Sequence, residues 1–423
     1  MTNAFGEQGC LSDLLGLIDC WDYLKSVYAS GRPIFVYGMG LGAEKILAIF
    51  EQYQIEVSGF FASNDFVRGH SFKGHQVMRL ADIEAEHDDF VVVLAFAAGY
   101  EELYDRILDI ASRHELVAPD VPVAGGGLFN KEFFQTHLEK FQQVYSNLAD
   151  DLSRTVYRNI LAFKLTGRPE FLAPATTVRS EIYTNLIASY CKQVAPDTSN
   201  ANDANDTNAT VDKLSFVDMG AYKGDTIEEF LSYYGKNYGD IYAFEPNSKN
   251  YTKMCNNLES KIITRLHAYN ACAWKESCEV IFTANEGRMA RISTSADSTM
   301  KLMQNIMETQ AQALKATKTV AALAIDDVIK IKEDASSDNS DNHDSFSKYL
   351  LKLDVEGVED EAIDGASKLI RTAKPAIICA LYHRNEDMFA IPLKLLAMNP
   401  DYKLYVRHEL YIPAWETNLI ALP

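Results

Sequence analysis

Short apolar runs alternate with amphipathic stretches over residues 31–125. The run IFVYG ends at a glycine and is followed by LGAEKILAIFEQY, whose apolar positions recur at the three- and four-residue spacing of a helix. The runs EVSGFFAS and DFVVVLAFA are typical of buried strands. Because strands that alternate with helices indicate a parallel sheet, we predict a small Rossmann-like α/β domain over residues 1–128.

The pattern becomes helical after residue 128. Aromatic residues and leucines recur at helical spacing, which predicts a helical connector over residues 129–195. Residues 196–213 contain few large apolar side chains, so burial cannot offset the entropy cost of ordering them. This segment is predicted to be a flexible linker.

A second α/β pattern occupies residues 214–423. The β-rich segments LSFVDMG, DIYAFEP and YLLKLDVEG are each followed by an amphipathic, helical stretch. They predict a second parallel sheet. In open sheets of this kind, ligands bind at the carboxyl ends of the strands, so the residues that follow these segments are the candidates for chemistry.

Charge and composition narrow the class of protein. The 423-residue chain has a formal net charge of −19, which disfavours a nucleic-acid partner. No apolar run approaches the roughly 20 residues of a membrane-spanning helix. The seven cysteines include no CxxC pair, which indicates reduced thiols. We therefore expect a cytoplasmic protein that binds neither nucleic acid nor membrane.

The first candidate binding element is FVDMGAYKGDT. The predicted strand ends at Asp218, and Gly220 and Gly224 form a tight turn before a helix. Glycine lets the backbone approach a ligand closely, and the free N–H groups at a helix start favour an anionic group such as a carboxylate. Asp218 is a candidate for binding an ammonium group, directly or through water.

Two further strands end in acids. Glu245 follows the glycine turn by about 20 residues, where a carboxylate can accept hydrogen bonds from both hydroxyls of a ribose. That geometry serves both NAD and S-adenosylmethionine. Asp354 and Glu356 follow the strand LLKL at the same edge of the sheet. Two carboxylates are too few ligands to predict a metal ion, so none is expected.

Together, FVDMGAYKGDT, YAFEPN, LKLDVEGVE and the C-terminal tail resemble the FkbM-type methyltransferase family over residues 214–423. The resemblance implies a class I, Rossmann-like methyltransferase fold, S-adenosylmethionine as cofactor, and O-methylation, often of sugars or polyketide-type metabolites. The family's turn commonly reads Gly-Ala-Asn-x-Gly. In this chain Tyr222 stands at the position of the asparagine.

The resemblance also implies roles for individual residues. Asp218, Gly220 and Gly224 would hold the methionine part of the cofactor. Glu245 would bind the ribose, and Asn270 and Ala271 would form part of the adenine pocket. Asp354 would lie near the transferred methyl group. His383, at the end of ALYH, is the candidate base for a substrate hydroxyl, since histidine ordinarily titrates near ~6.5.

The N-terminal domain has a glycine turn of its own, at Gly38, Gly40 and Gly42, whose spacing differs from GxGxxG. Asp65 stands where a ribose-binding acid would lie. Two interpretations are open. The domain is either a module that binds a nucleotide or nucleotide sugar, or a Rossmann-like scaffold without a nucleotide.

Three functions compete. The main hypothesis is a methyltransferase that methylates a hydroxyl of a carbohydrate or sugar-containing metabolite, with a small molecule or glycan as substrate. An NAD-dependent oxidoreductase that uses the N-terminal glycine turn is the first alternative, and it leaves the segment LDVEGVE unexplained. A methyltransferase-like binding protein without catalysis is the second, and Tyr222 favours it.

Overall fold

The chain forms two compact units. The computed structural model describes residues 10–63, 67, 69–192, 213–259, 261, 263, 265–284, 290–293, 317–330 and 348–423. The first unit is Met1–Arg179 with Tyr405–Thr417, and the second is Ser180–Leu404 with Asn418–Pro423. Asp65 lies outside the described residues, as does the predicted linker except for residue 213.

The first unit is built on a six-stranded sheet in which strands alternate with helices, as predicted. Its strands are β1 (Ile34–Tyr37), β2 (Gly59–Phe61), β3 (Ser71–Phe72), β4 (His75–Met78), β5 (Val91–Leu94) and β6 (Glu115–Val117). Their order in the sheet is β3-β4-β2-β1-β5-β6, and the pairs are parallel except β3 with β4. β1 and β5 are buried along their whole length, because helices cover both faces of such a sheet.

The helices of the first unit follow the apolar periodicity. They are α1 (Cys20–Ala29), α2 (Leu41–Tyr53), α3 (Leu80–Glu86), α4 (Glu101–Arg113), α5 (Lys131–Thr136), α6 (Leu138–Asn147) and α7 (Asp151–Thr166), with short 3-10 helices at Ser12–Gly16, Pro169–Phe171 and Ala173–Ala175. α2 has the bounds of the predicted LGAEKILAIFEQY helix. In the core, the rings of Trp21 and Phe50 meet edge to face with centroids 6.5 Å apart.

The boundaries of the units differ from the predicted domain boundaries. The helices of the predicted connector up to α7 belong to the first unit, and so does Tyr405–Thr417 from the predicted methyltransferase domain. This returning segment is fixed by Ser153, whose hydroxyl accepts from the amide of Val406 at 3.0 Å. The guanidinium of Arg407 pairs with Asp150 at 2.7 Å.

The strands of the second unit belong to a seven-stranded sheet, of which residues 405–408 and 417 are part of the first unit. Its strands are β7 (Leu214–Met219), β8 (Tyr238–Phe244), β9 (Leu266–Tyr269), β14 (Lys348–Leu353), β15 (Ala376–Ala380), β16 (Lys403–His408) and β17 (Thr417–Leu422). The order is β16-β17-β15-β14-β7-β8-β9, in which β15, β14, β7, β8 and β9 are parallel and β17 is antiparallel to β15. β7 and β14 are neighbours at its centre, so their carboxyl ends meet at one edge.

A smaller sheet and the remaining helices complete the unit. The four strands, in the order β10-β13-β11-β12, are β10 (Ala271–Ala273), β11 (Cys278–Ala284), β12 (Ala290–Ser293) and β13 (Thr317–Leu323). The helices are α8 (Arg179–Glu181), a π-helix at Ile182–Ile187, α9 (Ala188–Lys192), α10 (Asp225–Tyr234), α11 (Ser248–Glu259), α12 (Ile325–Val328), α13 (Glu359–Gly365), α14 (Ser367–Ala373) and α15 (Asp387–Met398). In the described part of the chain, no helix has both the length and the apolar character to cross a membrane.

Candidate active site

The turn after β7 requires glycine. Gly220 has a φ of 91°, and a Cβ at this position would lie 1.9 Å from the carbonyl oxygen of Asp354. Other residues tolerate neither that conformation nor that approach. The amides of Gly220 and Ala221 donate to the carbonyl oxygen of Phe244 at 3.0 and 2.9 Å. The turn is therefore fixed against the ends of β8 and β14.

Gly224 begins α10. Its φ is 86°, and a Cβ would meet side-chain atoms of Met254 and Leu258 at 3.2 Å. Glycine at this position lets α10 start close to α11. Since Gly224 has no side chain, it cannot accept from the first N–H groups of α10, which stay available to an anion.

Glu245 is a buried carboxylate at the end of β8, 6% exposed. Its Oε2 accepts from the amide of Tyr222 at 3.0 Å and its Oε1 from the amide of Asn247 at 2.8 Å. Tyr222 has a φ of 46°, so the residue that replaces the family's asparagine takes a left-handed conformation and directs its amide to Glu245. Burial raises the pKa of Glu245 to about 7, although both amides act in the opposite direction.

Asp218 ends β7 without any exposed surface. Its Oδ2 accepts from the hydroxyl of Thr226 in α10, which ties the strand to the helix across the glycine turn. Its Oδ1 is buried and has no hydrogen-bond partner, and the ammonium of Lys352 lies 3.8 Å away. Burial raises the pKa of Asp218, and Lys352 only partly counters it.

Asp354 ends β14 and remains 29% exposed. Its Oδ1 accepts from the hydroxyl of Tyr382 at 3.1 Å, and its Oδ2 lies 3.4 Å from the ammonium of Lys352. Burial alone would raise the pKa of Asp354. Lys352 and His383 outweigh that effect and lower it, so the carboxylate is ionised at neutral pH.

His383 follows β15 and is surrounded by carboxylates. It is 1% exposed. Its Nδ1 lies 2.8 Å from Oε1 of Glu359, and its Nε2 lies 3.5 Å from Oε2 of Glu356 and 3.6 Å from Oδ1 of Asp354. Burial lowers the pKa of His383, but the carboxylates outweigh it and raise it well above the ordinary value. An imidazole that keeps its proton at neutral pH is a donor, which departs from the hypothesis of a free base.

Glu359 shapes the turn between β14 and α13. Its Oε1 accepts from the amides of Val355 and Gly357 at 2.9 and 3.3 Å, while its Oε2 is buried and has no hydrogen-bond partner. Burial raises and His383 lowers the pKa of Glu359, and the net direction is down. Glu356, within the same turn, has a φ of 58° and a side chain 30% exposed. Backbone strain in a non-glycine residue is typical of functional sites.

Asn270 supports the loop after β8. Its amide donates to the carbonyl oxygens of Glu245 at 2.8 Å and Pro246 at 3.3 Å, and its Oδ1 accepts from Ser248 at 3.0 Å. Ala271 is buried at the start of β10. The structure therefore places Asn270 beside Glu245, with its side chain already engaged with protein atoms, and Ala271 next to it in the chain.

The predicted residues meet at one edge of the sheet. Asp218 lies near the end of β7, and Glu245, Asp354 and His383 follow three other strands. Glu245 accepts from an amide of the glycine turn, His383 lies 3.6 Å from Asp354, and Lys352 lies between Asp354 and Asp218. Sequence reasoning missed Lys352 as a member of this group. A lysine inside an otherwise apolar, buried strand was the available signal, because such a strand rarely buries an unpaired charge.

Glu359 follows Asp354 and Glu356 in the sequence, so it is a candidate for the same edge, although it also suits the first turn of a helix, where acids are common for reasons unrelated to chemistry. Tyr382 was missed. Tyr382 stands next to His383 in a strand-end segment. Nothing in the sequence distinguished it from a packing residue.

Comparisons with known proteins agree with this geometry. Residues 218–410 match the sequence model of the methyltransferase FkbM domain. The crystal structure of the methyltransferase FkbM from Methylobacillus flagellatus KT is similar, with a TM-score of 0.63, 17% sequence identity, and 97% of each chain covered. A DszA carbon methyltransferase has a TM-score of 0.28 at 8% identity, with 98% of this chain and 86% of that chain covered, which is too low to support an argument. Among proteins of curated function, none matches this chain.

The second unit thus has the class I methyltransferase fold that its motifs predicted. Its residues 218–410 form a methyltransferase domain of the FkbM type. The predicted fold class and the predicted family resemblance are both confirmed. The matched region begins at Asp218 and contains Glu245, Asp354 and His383.

The N-terminal glycine turn has different surroundings. A Cβ on Gly38 would lie 2.8 Å from the ring of Phe96, and a Cβ on Gly42 would lie 2.2 Å from the carbonyl oxygen of Ala95. Phe96 packs edge to face on Tyr37, with centroids 4.7 Å apart. These glycines allow close packing of α2 against the end of β5. A nucleotide sugar at this turn stays a prediction.

Proposed function

We propose that this protein is an S-adenosylmethionine-dependent O-methyltransferase whose acceptor is a hydroxyl of a carbohydrate or sugar-containing metabolite. The observation that carries the proposal is the convergence of the glycine turn, Glu245 and Asp354 on one sheet edge within a methyltransferase domain. The acceptor class rests on the family resemblance and on the carboxylates at that edge, which suit a hydroxyl.

The residues at this edge fit the parts of the cofactor. The carboxylate of Glu245 accepts the backbone N–H groups of Tyr222 and Asn247 and a hydrogen bond from the side chain of Asn250. Because a carboxylate has about four acceptor positions, one stays available to a ribose hydroxyl. Oδ1 of Asp218 is a buried acceptor without a hydrogen-bond partner, which suits an ammonium group. The start of α10 suits a carboxylate, and the Asn270–Ala271 segment suits the adenine.

When bound, the cofactor supplies a methyl group already activated by a sulfonium sulfur. The protein then has to orient the acceptor hydroxyl and accept its proton. Asp354 and Glu356 are about equally exposed, whereas His383 is buried. We assign orientation of the hydroxyl to Asp354 and proton acceptance to Glu356, with His383 holding both carboxylates in position.

Binding of S-adenosylhomocysteine tests the cofactor site. Glu245→Gln should weaken binding about tenfold or more, because a hydrogen bond to a charged group contributes about 1.5–3 kcal/mol. Glu228→Gln is the matched control, since Glu228 lies on α10 and pairs with Lys261 at 3.1 Å. Calorimetry on both variants gives the comparison. Equal affinities would remove Glu245 from the ribose role.

Methyl transfer tests the activity. The full chain, incubated with S-adenosylmethionine labelled on the methyl group and a panel of hydroxyl-bearing sugars, should give labelled product that Glu356→Gln reduces about a hundredfold, within the range of general-base contributions. Cofactor binding without transfer to any acceptor would favour the alternative of a binding protein.

A further inference from the structure

A buried cluster at the β14–β15 edge has the composition of a metal site. Asp354, Glu359 and His383 each place one ligand atom so that all three atoms lie within 4.8 Å of one another. Glu359 and His383 are each 1% exposed, and Asp354 is open to the edge of the sheet. We propose that these three residues bind one divalent transition-metal ion.

Unpartnered atoms in the cluster support a ligand. Oε2 of Glu359 is fully buried and makes no hydrogen bond with any described residue. Nδ1 of His383 also lacks a well-aligned hydrogen bond, although it lies 2.8 Å from Oε1 of Glu359. An unpaired polar atom costs about 1–3 kcal/mol when buried, so native proteins rarely keep two of them in one cluster. A cation that accepts lone pairs from both groups removes that cost.

The charge balance supports a cation. His383 lies in ion-pair range of Glu356 and Glu359, and Asp354 shares it as well. Lys352 lies on the other side of Asp354, toward Asp218. Buried carboxylates are stable when paired with cations or bound to metal. A divalent ion bound to the neutral form of His383 would replace the imidazole proton and add one net positive charge among these carboxylates.

The ligand set selects the metal. Imidazole nitrogen suits Zn²⁺ and Fe²⁺, and carboxylate oxygen suits Mn²⁺, whereas Mg²⁺ and Ca²⁺ prefer oxygen ligands throughout. With metal–ligand bonds of about 2.0–2.2 Å, two ligand atoms of one ion lie at most about 4.4 Å apart. The ligand atoms of the cluster all lie within 4.8 Å of one another, so little movement is needed to bind an ion. Three protein ligands leave a position open for a further group.

The open position is on the Asp354 side, where we place the acceptor hydroxyl. A metal ion there would bind the hydroxyl oxygen and lower its pKa, while Glu356 accepts the proton. This catalytic role rests on the proposed function. The binding of the ion does not, because it follows from the cluster alone and can be measured without cofactor or acceptor.

Metal uptake by the full chain tests the inference. Protein treated with EDTA and then dialysed is titrated with Mn²⁺, followed by electron paramagnetic resonance, and with Zn²⁺, followed by elemental analysis. We expect one ion per chain. His383→Gln and Asp354→Asn should each weaken binding roughly tenfold or more, and Asp354→Asn keeps the buried part of the cluster intact. No stoichiometric uptake, or unchanged affinity in both variants, would overturn the proposal.

A matched control distinguishes binding at this cluster from non-specific binding of cations to other carboxylates. Asp360→Asn changes a carboxylate of the same helix that pairs with Lys394 at 2.8 Å, outside the cluster, and should keep wild-type affinity. Equal binding of Zn²⁺ by wild type and His383→Gln would exclude the imidazole as a ligand. S-adenosylhomocysteine affinity is measured on the same samples. Loss of one binding activity with the other retained shows which of the two proposals has failed.

Discussion

The chain contains two glycine turns, each at the carboxyl end of the first strand of a parallel sheet, and their surroundings are opposite. The turn at Gly38–Gly42 packs on Phe96 and the backbone of Ala95. The turn at Gly220–Gly224 is packed among buried titratable groups, including Asp218 and Glu245. A shared local geometry therefore does not define a site. The chemistry comes from side chains that other strand ends bring to the turn.

The largest expected change in stability comes from adding a side chain at Gly220, in the second glycine turn. Gly220→Ala should lower the free energy of unfolding by about 4 kcal/mol, because the strain of a positive φ and the clash with Asp354 each cost about 1–3 kcal/mol. Urea denaturation followed by circular dichroism measures it. A loss below about 1 kcal/mol would show that the turn can shift away from β14.

A buried ion pair in the first unit gives the next effect. Lys164→Met should cost about 3 kcal/mol, since it leaves the buried carboxylate of Asp120 without its cation while keeping packing over the ring of Phe129. Affinity for S-adenosylhomocysteine should stay unchanged in the refolded variant. A loss of affinity in this variant would contradict the view that the Lys164–Asp120 pair stabilises the fold without taking part in cofactor binding.

The affinity for the cofactor product should depend on pH, because Glu245 beside the second glycine turn titrates near neutral pH. With a pKa of about 7, Glu245 is mostly protonated at pH 6 and mostly ionised at pH 8. A ribose acceptor needs the ionised form, so affinity for S-adenosylhomocysteine should rise about tenfold over that range. Glu245→Gln should bind weakly and without this slope. A slope that persists in the variant would assign the titration to another group.

The same pKa shift predicts the sign of a stability change. Glu245 holds its proton more tightly in the folded chain than in the unfolded chain, where the ordinary value is 4.5. Its contribution to the free energy of unfolding should therefore fall as the pH rises from 4.5 through about 7, and then level off. Thermal unfolding of wild type and Glu245→Gln between pH 4 and pH 8 checks the difference.

The smallest expected effect lies in the first turn. A Cβ on Gly40 meets nothing within 4 Å, and the residue has an ordinary negative φ of −94°. Gly40→Ala should change the free energy of unfolding by less than about 0.5 kcal/mol. It is the control for Gly220→Ala. A large loss of stability would mean that the first turn is as constrained as the second.

The sequence predicted the positions of helices and strand ends better than the contacts between segments that are distant in the chain. The periodicity located α2 and the strand ends at Asp218, Glu245 and Asp354, because these depend on neighbours in the chain. The contact between Glu359 and His383 could not be predicted in this way, because the two residues are distant in the chain and only the packing of neighbouring parallel strands brings them together. Periodicity also could not show that α7 and the segment Tyr405–Thr417 pack in the same unit.

The return of Tyr405–Thr417 to the first unit makes that unit discontinuous along the chain. No single cut can separate the two units, so an N-terminal fragment ending near Arg179 would expose Ser153 and Asp150 without their partners. During synthesis the first unit lacks these contacts until residues 405–417 have been made, after most of the second unit. Completion of the first unit is thereby coupled to synthesis of the second, which lies between its two segments in the chain.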